Sequence, residues 1–237
     1  MQCLLVIPAF RENDRLPPFL RELMVELERA GFGCDVLVVD DGSSPGEQRR
    51  LEEWVAALRS RYPRLLKPLF LPRNRGKGGA VRAGWEQLTT HEWVGFVDAD
   101  GAIPVSEVCR LLRLALESPA PSALFATRVK MLGKSIERSE LRHLLGRIFA
   151  LLVDVTISPN VYDSQCGLKL IRSSVYQRIE SRLHEDGFCF DVELLGALLA
   201  TGAEVIEVPI DWKHQPGSKL SLLRESYRMF RGVLRIR

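Results

Sequence analysis

Trp93-Val94-Gly95-Phe96-Val97-Asp98-Ala99-Asp100 is a five-residue apolar run that breaks directly into two carboxylates one residue apart. An unbroken apolar run of this length fits a strand covered on both faces, as in a parallel sheet between two helix layers. The same arrangement recurs upstream. Cys3–Ile7 runs into Pro8-Ala9-Phe10-Arg11-Glu12-Asn13, and Val36–Val39 runs into Asp40-Asp41-Gly42-Ser43-Ser44. Between these runs, Leu20, Leu23, Met24 and Leu27 and then Leu51, Trp54, Val55 and Leu58 repeat at helical spacing. Apolar Leu69–Leu71 precedes a glycine-rich turn, Asn74–Gly79, and a helix to about Leu88. Val108, Leu111, Leu112 and Ala115 mark another helix, and Leu124–Thr127 another strand. Alternation of this kind predicts an α/β domain with a mostly parallel sheet and helices on both faces. Ligands of such sheets bind beyond the carboxyl ends of the strands, where the polar clusters fall.

The second half is less regular. A helix is expected over Arg138–Val153, a polar turn at Asp163-Ser164-Gln165-Cys166-Gly167, and a strand at Leu168–Ile171. A helix over Phe190–Thr201 and a last strand at Val205–Pro209 follow. With no repeat or long linker, residues 1–237 read as one domain: a first half to 104, a second from 105 to 212, and a tail from 213.

Hydrophobic residues make up 46% of the 237 and charged residues 27%, which excludes a disordered or collagen-like chain. No apolar run approaches the ~18–20 residues that cross a bilayer. The opening MQCLLVIPAF lacks a basic flank and meets Arg11 and Glu12 at once, so it reads as a strand rather than a signal peptide. Five scattered cysteines without a CxxC pair argue against a disulfide framework or zinc knuckle and for a reducing cytosol. The formal net charge of +3 is unevenly spread. Residues 213–237 carry seven Lys or Arg against Glu225, and residues 128–147 carry six against Glu137 and Glu140. Such segments suit an anionic partner or a solvated helix surface. In the tail, Leu223, Tyr227, Phe230 and Leu234 lie beside Arg224, Arg228, Arg231 and Arg235. That pattern fits either the plane of an anionic membrane or a helix packed on the domain with a wet basic edge. No motif for binding nucleic acid accompanies the charge.

Asp98 and Asp100 can turn toward one point, and oxygen sites of this type hold Mg²⁺ or Mn²⁺, with substrate phosphates completing the shell. Asp40 and Asp41, with Gly42 permitting a tight turn, can accept from a base or ribose, or cap the following helix. Arg73–Ala80 opens a helix where exposed backbone N–H groups and basic side chains favour phosphate. It has neither the GxxxxGK[ST] nor the GxGxxG spacing. Asp191 and Glu193 can orient a sugar hydroxyl or favour the helix dipole. The four histidines flank no nucleophile motif and read as surface residues.

Taken together, Pro8–Asn13, Val38–Ser43, Asn74–Gly78 and Asp98–Asp100 resemble the family 2 glycosyltransferases of the GT-A (Rossmann-like) fold. Asp98–Pro104, Asp163–Lys169, Phe190–Leu195 and Trp212–Leu220 narrow the resemblance to polyprenyl-phosphate hexosyltransferases, especially the dolichyl-phosphate glucosyltransferase branch. The resemblance implies a nucleotide-sugar donor, a lipid monophosphate acceptor and inversion at the anomeric carbon, with C-terminal amphipathic helices at the membrane interface. By position, Pro8, Ala9, Phe10, Glu12, Asp40, Asp41, Gly42, Ser43, Asn74, Gly76, Lys77, Gly78 and Ala99 fall to the donor. Asp98 and Asp100 fall to donor and metal. Arg128, Arg138 and Ser139 become candidates for the acceptor phosphate. Gln165, Cys166, Lys169, Asp191, Glu193, Ser218 and Lys219 fall to the sugar or acceptor. The mannosyl branch carries a Gln metal ligand where this chain has Ala102, which argues for UDP-glucose over GDP-mannose and leaves fewer protein ligands. A transferase acting on a sugar hydroxyl, with Asp191 or Glu193 as base, and an inactive nucleotide-sugar binding module are the competing readings. The expected location is cytoplasmic, peripheral on the cytoplasmic face of a membrane.

Overall fold

A computed structural model describes residues 2–117, 121–129, 131, 133, 135, 161–213 and 215. The elements in order are β1 (Gln2–Ala9), α1 (Leu16–Arg29), β2 (Gly33–Asp40), α2 (Pro45–Arg59), β3 (Leu69–Phe70), α3 (Lys77–Trp85), β4 (Trp93–Val97), α4 (Val105–Glu117) and β5 (Ala123–Thr127). Then come β6 (Leu168–Arg172), α5 (Ser173–Ile179), a 3₁₀ turn (Glu180–Arg182), α6 (Phe190–Ala200) and β7 (Val205–Pro209). The strands form one sheet in the order β3-β2-β1-β4-β6-β5-β7. Among the described strands, only β6 runs against its neighbours, antiparallel to both β4 and β5, and the other pairings are parallel.

Registry explains where a site can form. Ala9 lies opposite Asp40, and Val97 opposite Leu168, so β1, β2 and β4 end on one rim. Because β6 is reversed, its beginning rather than its end lies on that rim. The turn before it, 163–167, therefore joins the polar clusters that follow β1, β2 and β4.

Side chains alternate across the sheet with the period of two that a strand imposes. Cys3, Leu5 and Ile7 face a core built with Leu20, Leu23 and Leu27 of α1 and Val108, Leu111 and Leu112 of α4. Leu4 and Val6 face the other core with Val81 of α3, Phe96 of β4 and Phe190 and Leu194 of α6. There Trp85 meets Tyr176 edge-on, with ring centroids 4.9 Å apart. Pro17 and Pro18 occupy the first turn of α1, where a missing N–H costs nothing. Ser44 and Glu47 form a reciprocal capping box that starts α2.

The helix expected to reach Leu88 ends at Trp85, after which Gln87 and Leu88 donate to Gly84 and Trp85 carbonyls in tighter turns. Helix α5 went unread in the sequence. All five cysteines are buried and reduced. Among the described residues, no helix is long and apolar enough to cross a membrane.

Candidate active site

The last residue of β4 hands the chain to Asp98, whose backbone N–H donates to the Gly167 carbonyl at 2.9 Å. Its side chain is 38% exposed, and Oδ1 receives Lys77 Nζ, from the first residue of α3, at 3.0 Å. The same ammonium lies 3.1 Å from Asp191 Oδ2, near the start of α6. Asp191 Oδ1 in turn receives Lys169 Nζ of β6 at 2.5 Å, and Lys169 also donates to the Cys166 carbonyl at 2.7 Å. Both ammonium groups lie near the Phe96 ring, 4.8 Å and 5.2 Å from its centroid. Burial opposes each charge, yet pairing wins for two of them. Asp191 is buried, but Lys169 and Lys77 hold its carboxyl below the ordinary range. Burial would pull Lys77 down, but Asp191 and Asp98 hold its ammonium above the usual lysine value. At Asp98 burial prevails over Lys77, with help from Asp100, and its carboxyl is raised.

Asp100 accepts the Ala102 N–H on Oδ1 at 3.0 Å in a turn closed by Gly101 at φ +69°. Ala102 is buried and its methyl side chain offers no ligand atom. Among the described residues, no group of three or more His, Cys, Asp and Glu side chains could hold a metal ion. Two carboxylates still fit Mg²⁺ or Mn²⁺, hard cations that take remaining oxygens from water and substrate phosphates.

The carboxylates after β2 serve mostly the protein itself. Both Asp41 oxygens accept backbone amides, from Arg75 and from Gly76, each at 2.7 Å. Burial raises its carboxyl despite those amides. Asp41 therefore ties two loops together. Asp40 Oδ1 accepts Ser43 N and Gln48 Nε2, both at 2.9 Å. Gly42 sits at φ +72°, and a Cβ there would stand 2.3 Å from the Arg73 carbonyl carbon. Asn74 Nδ2 donates to the Asp41 carbonyl at 3.1 Å.

The start of α3 also differs from expectation. The amides of Arg75 and Gly76 go to Asp41, and that of Gly79 goes to the Asp186 carbonyl at 3.1 Å. A Cβ on Gly76 would lie 2.5 Å from Asp186 O, and one on Gly78 2.4 Å from Glu185 O. The loop 183–188 thus lies over this helix end, with Asp186 paired to Arg75 and Arg82. Three amides expected to be exposed for phosphate are taken, and Asn74, Gly76 and Gly78 serve loop packing. Lys77 alone of this stretch turns its charge toward Asp98.

Around β1, the Asp41 N–H donates to the Ala9 carbonyl at 2.8 Å, and the Arg11 N–H to Ser43 Oγ at 2.9 Å. Arg11 has a left-handed backbone, φ 56°, and its guanidinium stands 5.0 Å from the Phe10 ring centroid. Glu12 pairs with Arg15, whose Nε lies 2.7 Å from Oε2. Pro8, Phe10 and Glu12 remain partly exposed at this rim, and Ala99 is buried beside it.

On the far side, Arg128 follows β5 and forms a two-pronged pair with Asp163, at 2.6 Å from Nε and 2.9 Å from Nη2. Glu207 of β7 accepts the Tyr162 and Asp163 amides at 2.8 and 2.9 Å. The pairing with Asp163 outweighs burial and raises the Arg128 guanidinium further. Gln165 Nε2 donates to the Phe188 carbonyl at 3.0 Å. Cys166 and Lys169 are fully buried, and burial pushes the Cys166 thiol up to about 12. Neither lines an open sugar site, which corrects that expectation. Glu193 accepts His184 N and Glu185 N at 2.9–3.0 Å and holds the 183–188 loop. Arg138, Ser139, Ser218 and Lys219, the Arg138–Val153 helix and the basic tail lie outside the described residues.

Asp186 and Glu207 had no place in the sequence reading, and Asp163 and Gly167 entered it only as part of the Asp163–Lys169 motif, without individual roles. Asp163 had the clearest available signal, an acid in the polar turn feeding a strand.

The family model described as Glycosyl transferase family 2 matches residues 4–180. A dolichyl-phosphate beta-glucosyltransferase of Saccharomyces cerevisiae is 31% identical over 98% of this chain and 73% of its own length. The mouse protein of that name is 32% identical over 100% of this chain and 75% of its own. Glucosyl-3-phosphoglycerate synthase from Mycobacterium tuberculosis, solved with Mg²⁺ and UDP, superposes with a TM-score of 0.72. That match covers 99% of this chain and 79% of the other at 15% identity, a likeness of fold. With β4 ending in its paired acids and the sheet order that brings the other loops beside them, the chain belongs to glycosyl transferase family 2.

Proposed function

We propose that this chain is an inverting glucosyltransferase that moves glucose from UDP-glucose to a dolichyl or related polyprenyl monophosphate. The relatives named above supply the sugar and the lipid class. One structural observation favours a phosphate over a hydroxyl acceptor. Neither carboxylate suggested as a general base is free to act as one: Asp191 has an ammonium on each oxygen, and Glu193 is occupied by the His184 and Glu185 amides. A hydroxyl needs its proton removed as it attacks. A phosphate monoester, with its second pKa near ~6, arrives as an anion and needs only alignment with C1.

In this reading Pro8, Phe10 and Glu12 bound the nucleoside, and Asp98 and Asp100 hold a divalent ion. That ion, Mg²⁺ or Mn²⁺, would stabilise negative charge on the departing diphosphate. Lys77 adds positive charge beside Asp98 from a fixed position, and such preorganised charge is worth more where water is scarce. The acceptor phosphate approaches from the Arg128 side. The lipid keeps the enzyme at a membrane, which we place at its cytoplasmic face, with the basic tail as the anionic-surface anchor.

Turnover of UDP-glucose, UDP-galactose, UDP-N-acetylglucosamine and GDP-mannose with a short polyprenyl phosphate tests the assignment. UDP-glucose is expected to be used best, and Asp100→Ala to lower kcat by about 10²–10³, the scale of losing one transition-state stabiliser. Preference for GDP-mannose, or for a sugar hydroxyl over the lipid phosphate, would replace this reading.

A further inference from the structure

Asp98, Lys77, Asp191 and Lys169 form one line of alternating charge running from the rim into the interior. Its outer end is partly exposed, and its inner end, Lys169, has no exposure at all. The members come from the residue after β4 and from α3, α6 and β6, so four elements must be in place for the line to exist. Buried ion pairs seldom stabilise a fold more than apolar residues of the same size, which makes this line a poor device for stability alone. Lys169 could be satisfied locally, by the Cys166 carbonyl and one oxygen of Asp191. The second Asp191 oxygen instead continues the line to Lys77, and Lys77 continues it to Asp98.

We propose that Lys169 and Asp191 are positioning residues for sugar transfer, acting on Asp98 through Lys77. The inference rests on the reading that Asp98 serves the donor. Each link has a defined effect. Lys169 neutralises one side of Asp191 and so limits how strongly Asp191 draws Lys77 inward. Asp191 shares Lys77 with Asp98 and so limits how much of the Asp98 charge the ammonium cancels. The four charges sum to zero, so the line itself brings no net charge to the Asp98–Asp100 pair. Without Asp191 the line gains a net positive charge beside Asp98, which repels a divalent cation at short range. Gly167 completes the arrangement, because Asp98 Oδ2 passes 2.0 Å from where a Cβ on that residue would lie.

The test is a double-mutant cycle in the full chain, read by Mn²⁺ binding in the presence of UDP, followed by electron paramagnetic resonance. Wild type, Lys77→Met, Asp191→Asn and the double variant are compared well below their unfolding temperatures. Asp191→Asn is expected to weaken Mn²⁺ binding about tenfold when Lys77 is present and less than twofold when it is Met, the non-additivity of sites that act as a unit. Turnover by Asp191→Asn should fall about tenfold in kcat with KM for the lipid phosphate unchanged. Should Asp191→Asn not fold, Lys169→Met/Asp191→Asn takes its place, since it removes the pair together and strands no charge. It keeps the line neutral and tests only the sharing of Lys77, so its effect on Mn²⁺ binding is expected to be larger when Lys77 is present than when it is Met. Equal effects in both backgrounds, or wild-type Mn²⁺ binding in a folded variant, would overturn the positioning role. Asp98→Asn separates the two levels. If it leaves Mn²⁺ binding and turnover intact, the donor-site reading is wrong; if it abolishes them while the cycle shows no coupling, only the positioning role is.

Discussion

At Gly167 the chain has no room for a methyl group, because a Cβ would stand 2.0 Å from Asp98 Oδ2 and 2.3 Å from its Cγ. The crowding has a cause in the fold: Asp98 N–H is bonded to the Gly167 carbonyl, and Lys77 holds the carboxylate from the other side. Gly167→Ala must therefore move the carboxylate that the transfer relies on. We expect kcat/KM for the donor to fall about 10²-fold, since displacements near 1 Å cost that much. Overpacking should destabilise by about 1–3 kcal/mol, leaving a folded protein for assay. Donor saturation curves beside thermal unfolding would check both, and an unaltered kcat/KM would mean that Asp98 is not needed where it stands. The sequence names Asp98 readily, because an acid ending an apolar run is conspicuous. It marks Gly167 only as part of the Asp163–Lys169 motif, and the reason for a glycine there comes from what lies opposite.

Helix α6 shows how an element can be located correctly while its acids acquire unforeseen partners. Phe190–Ala200 was legible from its apolar content, and Asp191 and Glu193 as a pair near its start. Their separate duties were not, because one faces lysines from β6 and α3 and the other faces the loop before the helix. Glu193→Ala would leave the amides of His184 and Glu185 without their carboxylate. These bonds are only partly buried and the freed amides can reach water, so a loss of about 1 kcal/mol in stability is expected. The pH–rate profile should keep its shape. Loss of the acid limb of that profile in a folded Glu193→Ala would restore Glu193 as a general base and undo the phosphate-acceptor argument. Strand β6 makes the same point about direction. Its apolar run is evident, but a run reads alike in either direction, and only the pairing with β4 and β5 reverses it. That reversal is what brings Cys166, Gly167 and Lys169 to the neighbourhood of Asp98.

Across the whole molecule, Asp191 is held below the ordinary carboxylate range and Lys77 above the usual lysine value, so activity and folding should fail at different pH. Asp191 has a lowered carboxyl in the folded state, so its stabilising contribution is full above the unfolded value of about 3.9 and is lost only as pH falls through a lower one. Lys77 is raised, so its contribution is full below about 10.4 and is lost as pH climbs through a higher value. Asp98 has the opposite sign for a carboxylate: folding favours its protonated form, so acid relieves rather than breaks its burial. The ion line therefore stays charged and paired between these limits. The acceptor phosphate, in contrast, takes up its second proton near ~6 and loses nucleophilic charge there. Turnover with polyprenyl phosphate should thus fall about tenfold per pH unit below ~6 while the unfolding temperature stays nearly constant down to about pH 5. Returning the sample to pH 7.5 should restore the rate in full. Parallel measurement of initial rates and thermal unfolding across pH 5–8 decides it. If rate and unfolding temperature decline together, the acid limb belongs to the protein's own ion line, and the acceptor's charge is not what limits the reaction.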